Sequence, residues 1–242
     1  MTYCVGVLAE AGLVFASDRR TNAGVDHVAT VKKMFVFERP GERMLVLLTA
    51  GNLAITQSVV SLLEEDCAQD DGDSLMSATS LFRAARIVGD ALRQVHAHEA
   101  DHLSQQGVAF SASLLLGGQI KGEAPRLFQI YDAGNFIEAS AEMPFLQVGE
   151  AKYGKPILDR LLGTATTLPQ AAKTVLLSYM PTLVSNVSVG LPIDLITYER
   201  DSFTTSQRWT FEQRDGYFEA LDAGWSEGLA RAFADLPDPP MG

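Results

Sequence analysis

Only two cysteines occur in the 242 residues, Cys4 within a strand pattern and Cys67 at a helix end. They make no disulfide framework, and the chain is expected in a reducing cytoplasm. No run approaches the ~18 uninterrupted apolar residues of a membrane-spanning helix. No Lys or Arg precedes Arg19, and the early apolar residues alternate instead of forming the continuous core of a secretory signal, so none is expected. Basic residues are scarce: 19 face 30 acidic ones, for a net charge of −11. With no Lys/Arg-rich run, a nucleic-acid groove and an anionic membrane surface are poor partners. Repeats and low-complexity linkers are also missing, so one domain over residues 1–242 is expected, its last residues, about 235–242, forming a Pro-rich flexible or interface-bound tail.

What the chain does have is core material. Hydrophobic residues make up 47% and charged residues 20%, and 12 Phe, 6 Tyr and 2 Trp supply bulk, the composition of an ordinary globular protein. MTYCVGVLAEAGLVFASDRR reads as a hairpin, with alternating Tyr3, Val5 and Val7 before a turn at Glu10-Ala11-Gly12. A polar stretch over Asp18 to Asp26 follows, then strands at Met34–Phe37 and Met44–Leu48. Helical spacing begins at Leu53, and a second helix is expected from about Ser77 to Ser104. Strands return over Val108–Leu116, closing on Gly117-Gly118, then Arg126–Tyr131, Phe136–Ala139 and Phe145–Val148. Two more helices follow, one after Gly149 and one over Leu168–Met180. Late strands at Pro192–Tyr198 and Gln207–Phe211 precede a helix from about Asp215 to Phe233. This is not the strict βαβ alternation of a parallel sheet. The fold class is α+β: two antiparallel sheets face to face with helices outside, a four-layer αββα sandwich.

A hydrophobic strand that begins at the second residue is unusual, because chain ends rarely bury enough to offset ordering. It fixes the hydroxyl of Thr2 in the fold. A Thr hydroxyl needs a base to become a nucleophile, and a free α-amine on the same residue, with an ordinary pKa of about 7.7–8.0, is one within reach. Met1 stands in the way, and a small second residue such as Thr favours its excision. Asp18 ends one strand and Lys33 opens another, both where strands meet polar loops. A Lys beside the hydroxyl lowers its proton affinity, and an Asp keeps that Lys charged and oriented; taken alone, the two read first as an ordinary strand-end ion pair. Gly51 lies where a strand turns into a helix, where its N–H suits an oxyanion, although a lone Gly also simply permits a turn.

Together, Thr2, the run FASDRRTNAG with Asp18, the run VKK with Lys33 and LLTAGN with Gly51 resemble the proteasome β-subunit family of N-terminal nucleophile hydrolases. The resemblance continues in VGEAKYGKPILDR and SNVSVGLPIDL, and within the family SDRRTNAGVD and GEAKYGKPILDR are most similar to the bacterial Anbu (ancestral β subunit) proteins. It implies Thr2 as nucleophile with its own amine as base, Lys33 and Asp18 as the charged pair, and the Gly51 N–H as oxyanion donor. The Asp18-to-Lys33 spacing is one residue shorter than in proteasome subunits, which leaves Lys32 or Lys33 as the functional lysine. Asn22 and Gly51, with Thr49 and Leu53 beside them, would bind an extended peptide as an added strand. Proteasome subunits support the amine with a Ser after the glycine before the third helix and with an Asp before a nearby Ser; here those places hold Glu150, Ser185 and Ser188. The resemblance implies no cofactor and no metal. It implies a peptide or protein substrate and a homo-oligomer, closed ring or open spiral. Those departures keep a second reading open: a ring- or spiral-forming relative acting on a specialised non-peptide amide, or with little peptidase activity.

A rival chemistry is written in RQVHAHEADH. His98-Glu99-Ala100-Asp101-His102 matches the zinc-protease pattern, with two histidines at i and i+4 on one helix face. It ends a long helix, where cationic His is favoured by the dipole. His27, the only histidine outside this stretch, lies far upstream, so a third ligand has no motif to supply it.

Overall fold

The computed structural model describes residues 2–23, 27–69, 72–163 and 165–240. The chain opens with the hairpin β1 (Tyr3–Ala9) and β2 (Gly12–Asp18), a small second hairpin β3 (Arg20–Ala23) and β4 (His27–Thr30), and the pair β5 (Met34–Arg39) and β6 (Arg43–Gly51). Helices α1 (Leu53–Ala68) and α2 (Leu81–Gln105) follow. Strands β7 (Ala112–Ile120), β8 (Arg126–Ile130), β9 (Phe136–Glu138) and β10 (Phe145–Gly149) lead to helices α3 (Lys155–Leu161) and α4 (Leu168–Ser185). The chain closes with β11 (Ile193–Glu199), β12 (Gln207–Phe211) and α5 (Gly216–Ala234). Two five-stranded sheets result, ordered β10-β1-β2-β11-β12 and β5-β6-β7-β8-β9, with β3-β4 as a separate ribbon. Every pairing is antiparallel.

Period-two alternation decides which layer each side chain enters. From β1 and β2, Tyr3, Val5, Val7, Val14 and Ala16 pack with Leu158 of α3 and with Val175 and Tyr179 of α4. Cys4, Leu13 and Phe15 point the other way and join Met44, Val46, Leu48 and Leu115 of the second sheet. On that sheet's outer face, Leu45, Leu47, Leu114 and Leu116 pack with Val59 and Leu63 of α1 and with Leu81, Val88 and Leu92 of α2. The run Met44–Leu48 within β6 is apolar without interruption because both of its faces are covered. At the end of β11, the Tyr198 O–H donates to Gln119 Oε1 at 2.6 Å, and Gln119 Nε2 donates to Asp201 Oδ1 at 2.6 Å, tying one sheet to the other.

Four sequence expectations are corrected. Gly117 and Gly118 do not close a strand, because β7 runs through them to Ile120. Gly117 is small because the sheets approach there: a Cβ on it would lie 2.8 Å from the Phe15 ring, as one on Gly6 would from Leu127 Cδ1, whereas a Cβ on Gly118 would lie 2.0 Å from the Met44 carbonyl oxygen of the neighbouring strand β6. The polar stretch Asp18 to Asp26 contains β3, and β4 follows it; neither reads as a strand in the sequence, and the two form a short ribbon outside the two large sheets. Helix α4 does not stop at Met180 but passes through Pro181 to Ser185. Beyond the proline, the Thr182 hydroxyl donates to the Ser178 carbonyl at 3.0 Å and the Asn186 N–H to the Thr182 carbonyl at 2.9 Å, so the last turn is closed. α2 begins at Leu81, capped by Ser80, because Ser74 and Ser77 bond to each other in a separate turn. Among the described residues of α5, only Phe218 is buried, and residues 235–240 are exposed.

Overpacking the contact between the sheets should be felt. Gly117→Val is expected to lower stability by about 1–3 kcal/mol, since the Phe15 ring is buried and has nowhere to move. A denaturant midpoint measured against the parent chain tests this.

Candidate active site

Residue 3 is held more firmly than a chain start ordinarily is. The Tyr3 hydroxyl meets Ser178 Oγ at 2.9 Å and accepts from Gln147 Nε2 at 2.6 Å, while the Tyr179 hydroxyl donates to the Tyr3 carbonyl at 2.8 Å. The two tyrosine rings pack with centroids 4.6 Å apart. Thr2 is therefore fixed from its C-terminal side, and it is buried, 7% exposed. On the other flank the Glu150 N–H donates to the Thr2 carbonyl at 2.7 Å. Gly149 makes that closure possible: its φ is +83°, and a Cβ there would lie 1.8 Å from the Thr2 oxygen. Met1 lies outside the described residues.

Asp18, the last residue of β2, is fully buried. Its Oδ1 accepts from the Tyr3 N–H at 3.0 Å and from Lys33 Nζ at 2.9 Å, and its Oδ2 from the Gly190 N–H at 3.4 Å. Burial pushes the carboxyl up from its ordinary range; Lys33 and the two amides oppose that and favour the ionised form. Lys33 also donates to the Arg20 carbonyl, so its three-proton head is fixed between β2 and β3. Its own carbonyl accepts from the Thr49 N–H at 3.0 Å, which connects it to β6. Lys32 is exposed and lies over the Phe35 ring at 5.3 Å. Of the two candidate lysines, Lys33 is the one that meets Asp18. Adjacent residues of an extended chain face opposite ways.

Gly51 ends β6 with φ +117°, and a Cβ there would be 2.4 Å from the Ser111 carbonyl. Asn52 then caps α1, accepting from the Ala54 N–H at 3.0 Å. Gly51 thus sits one residue before the positive end of a helix dipole. Thr49 is buried just before it and Leu53 is the half-buried first residue of α1. Asn22 lies on β3 opposite Val28. The Cys4 thiol donates to the Thr49 carbonyl at 3.6 Å, and burial pushes its pKa up, so it is an inert neighbour and not a competing nucleophile.

Glu150, 6% exposed, accepts at Oε2 from Asn186 Nδ2 at 2.7 Å, and Asn186 Oδ1 accepts from the Ser188 N–H at 2.9 Å. Ser188 thus enters through its backbone. Ser185, the exposed last residue of α4, takes no part in this network. Asn186 was not singled out by the sequence. In SNVSVG it stands between two serines, and nothing in the local pattern says that the end of α4 turns it, rather than Ser185, inward. His98, Glu99 and His102 lie exposed near the end of α2. Among the described residues, no three His, Cys, Asp or Glu side chains are grouped to hold a metal ion.

A lysine–aspartate pair built onto the first residues of a strand, in an α+β fold of antiparallel sheets, is an arrangement of the proteasome-like class, and solved structures of that class are similar to this chain throughout. Anbu (ancestral beta-subunit) from Yersinia bercovieri is 49% identical over 100% of both chains, with a TM-score of 0.93. A Gly-1 mutant of Anbu from Hyphomicrobium sp. strain MC1 is 49% identical, again over 100% of both, at 0.94. The protein of the helical assembly of the Anbu complex from Pseudomonas aeruginosa is 48% identical over 99% of this chain and 98% of that one, at 0.94. No family model and no curated protein matches the chain. The chain belongs to the Anbu family of proteasome-like ancestral β subunits.

The two lysines should separate cleanly in stability. Lys33→Ala leaves Asp18 buried without its cation and is expected to cost about 3–5 kcal/mol. Lys32→Ala removes only an exposed cation–π contact, about 0.5–1 kcal/mol. Urea unfolding of the two variants checks the ranking.

Proposed function

We propose that this chain is a threonine hydrolase that cleaves amide bonds, peptide bonds foremost, through an acyl-enzyme at Thr2 once Met1 has been removed. One observation carries the reading: a single oxygen of buried Asp18 accepts from both Lys33 Nζ and the N–H of the residue that follows Thr2. A buried lysine is costly, and here it is joined to the first residues of the chain, where an N-terminal nucleophile needs it. In the proposed reaction the Thr2 amine takes the hydroxyl proton as Oγ1 attacks the substrate carbonyl carbon. The Gly51 N–H stabilises the oxyanion, and the C–N bond breaks as the amine returns the proton to the leaving nitrogen. Water, deprotonated by the same amine, then hydrolyses the ester and frees Thr2. Lys33 lowers the proton affinity of Oγ1 throughout.

In this reading the two sheets and their outer helices form, as one domain, the αββα sandwich of the N-terminal nucleophile hydrolases. Asn22, Thr49, Gly51 and Leu53 border the edge to which an extended peptide adds as a strand. The protein works in the cytoplasm as a homo-oligomer; the helical assembly described for the Pseudomonas aeruginosa relative supports an open spiral built by one repeated contact.

A peptide epoxyketone, which reacts with a hydroxyl and a free amine on the same residue, tests the chemistry. Intact mass should show one adduct on the parent chain and none on Thr2→Ala. An adduct on Thr2→Ala, or none on a parent chain whose mass proves Thr2 to be the first residue, would overturn the reading. Assembly is tested separately by light scattering at micromolar concentration, where a mass well above the 26.2 kDa of one chain is expected; a strictly monomeric dilution series would refute it.

A further inference from the structure

Glu150, whose backbone N–H is bound to the Thr2 carbonyl, has two carboxylate oxygens with different surroundings. Glu150 Oε2 is taken by Asn186 Nδ2 at 2.7 Å, whereas Oε1 has, among the described residues, only Lys152 Nζ as a cation partner, at 3.6 Å on a side chain that is 67% exposed. The orientation of the Asn186 amide is not arbitrary. Its oxygen receives the Ser188 N–H, which can only donate, so its nitrogen must be the atom that faces Glu150. Asn186 is itself fixed, because its backbone N–H closes the last turn of α4 on the Thr182 carbonyl. The Glu150 N–H is bound to the Thr2 carbonyl, which continues the β1–β10 ladder by one step and sets the two residues opposite each other.

We propose that Asn186 is a positioning residue for Thr2: it acts through Glu150, pinning Oε2 so that Oε1 is presented to the Thr2 ammonium that forms when the hydroxyl is deprotonated. The inference rests on Thr2 being the nucleophile. The charged groups around residue 2 come from four elements. Asp18 of β2 is committed to Lys33, Tyr3 and Gly190; Lys33, just before β5, is committed to Asp18 and the Arg20 carbonyl. Glu150 and Lys152 follow β10, and the segment from Asn186 to Gly190 carries no charge. The Arg20 guanidinium donates one N–H to the Val187 carbonyl at 3.1 Å. Glu150 is thus the carboxylate whose second oxygen is left to a cation, and Asn186 holds it with a neutral donor that does not cancel its charge. This gives the site a place for the ammonium where proteasome subunits use hydroxyls and an aspartate. It also ties the working pH of the amine to one hydrogen bond.

The test is the pH dependence of epoxyketone labelling on full-length chains whose first residue is verified as Thr2. Glu150→Gln removes the negative charge and should move the inflection about one pH unit lower, because an amine without a carboxylate neighbour loses its proton more easily. Lys152→Ala removes a competing cation and should move it the other way. Asn186→Ala should slow labelling about tenfold, shift the inflection in the direction of Glu150→Gln, and add nothing in the Glu150→Gln background. Additive effects, or an unmoved inflection in Asn186→Ala, would overturn the proposal. The exchange Glu150→Gln with Asn186→Asp keeps the hydrogen bond with donor and acceptor reversed, which covers the case of an unfolded single variant. It should restore stability yet keep the low inflection; an inflection back at the parent value would overturn the proposal. A parent chain that does not label at all sinks the reading of Thr2 as nucleophile, a different result from one that labels with a pH profile indifferent to these changes.

Discussion

The buried contact of Asp18 with Lys33 and the Tyr3 N–H is the constraint around which the rest of the site is arranged. A carboxylate and an ammonium taken out of water together must each find further partners, or the desolvation exceeds the attraction. Asp18 finds them in the amides of Tyr3 and Gly190, and Lys33 in the carbonyl of Arg20. Those partners lie on β1, on the segment before β11 and on β3. The requirement that one ion pair be satisfied therefore joins the first residues of the chain to β3 and to the segment before β11.

Order at the start of the chain comes from the opposite side of the same sheet. Tyr3 is clasped by Ser178 and Tyr179 of α4 and by Gln147 of β10, and the turn at Gly149 brings Glu150 onto the Thr2 carbonyl. Ordering a terminus costs roughly 1–2 kcal/mol per residue in backbone entropy, and these buried hydrogen bonds and the packing of two aromatic rings offset it. The reward is a hydroxyl whose position does not depend on a flexible end.

The continuation of α4 past Pro181 has the same kind of consequence. A helix that ended at Met180 would release the segment from Pro181 to Gly190 as a loop. The actual helix carries it one turn further and delivers Asn186 to Glu150 and the Gly190 N–H to Asp18. A back-bonding threonine three residues from the end of the helix thereby shapes the site without touching its reactive atoms.

Much of this was legible in the sequence because it is written locally. Alternation over Tyr3–Val7 and Leu13–Phe15, the apolar run of β6 and the 3.6-residue spacing of α1 follow from neighbours alone; Thr2, Asp18, Lys33 and Gly51 stand out only through their joint resemblance to a family, since each alone reads as an ordinary strand-end residue. The sequence also determined that Lys32 or Lys33 would be the partner of Asp18, but not which, since the register that turns one inward is set by pairing with β6. Gly117 and Gly118 read as a turn because local propensity cannot see the Phe15 ring of the other sheet, which excludes a side chain at Gly117, or the Met44 carbonyl of β6, which excludes one at Gly118. Asn186 was invisible for the same reason, since its partner lies 36 residues away in sequence. Spacing along the chain decides what a segment becomes; which of its side chains meets another segment is decided by packing, where burial makes an unpaired polar group costly and leaves one arrangement that satisfies them together.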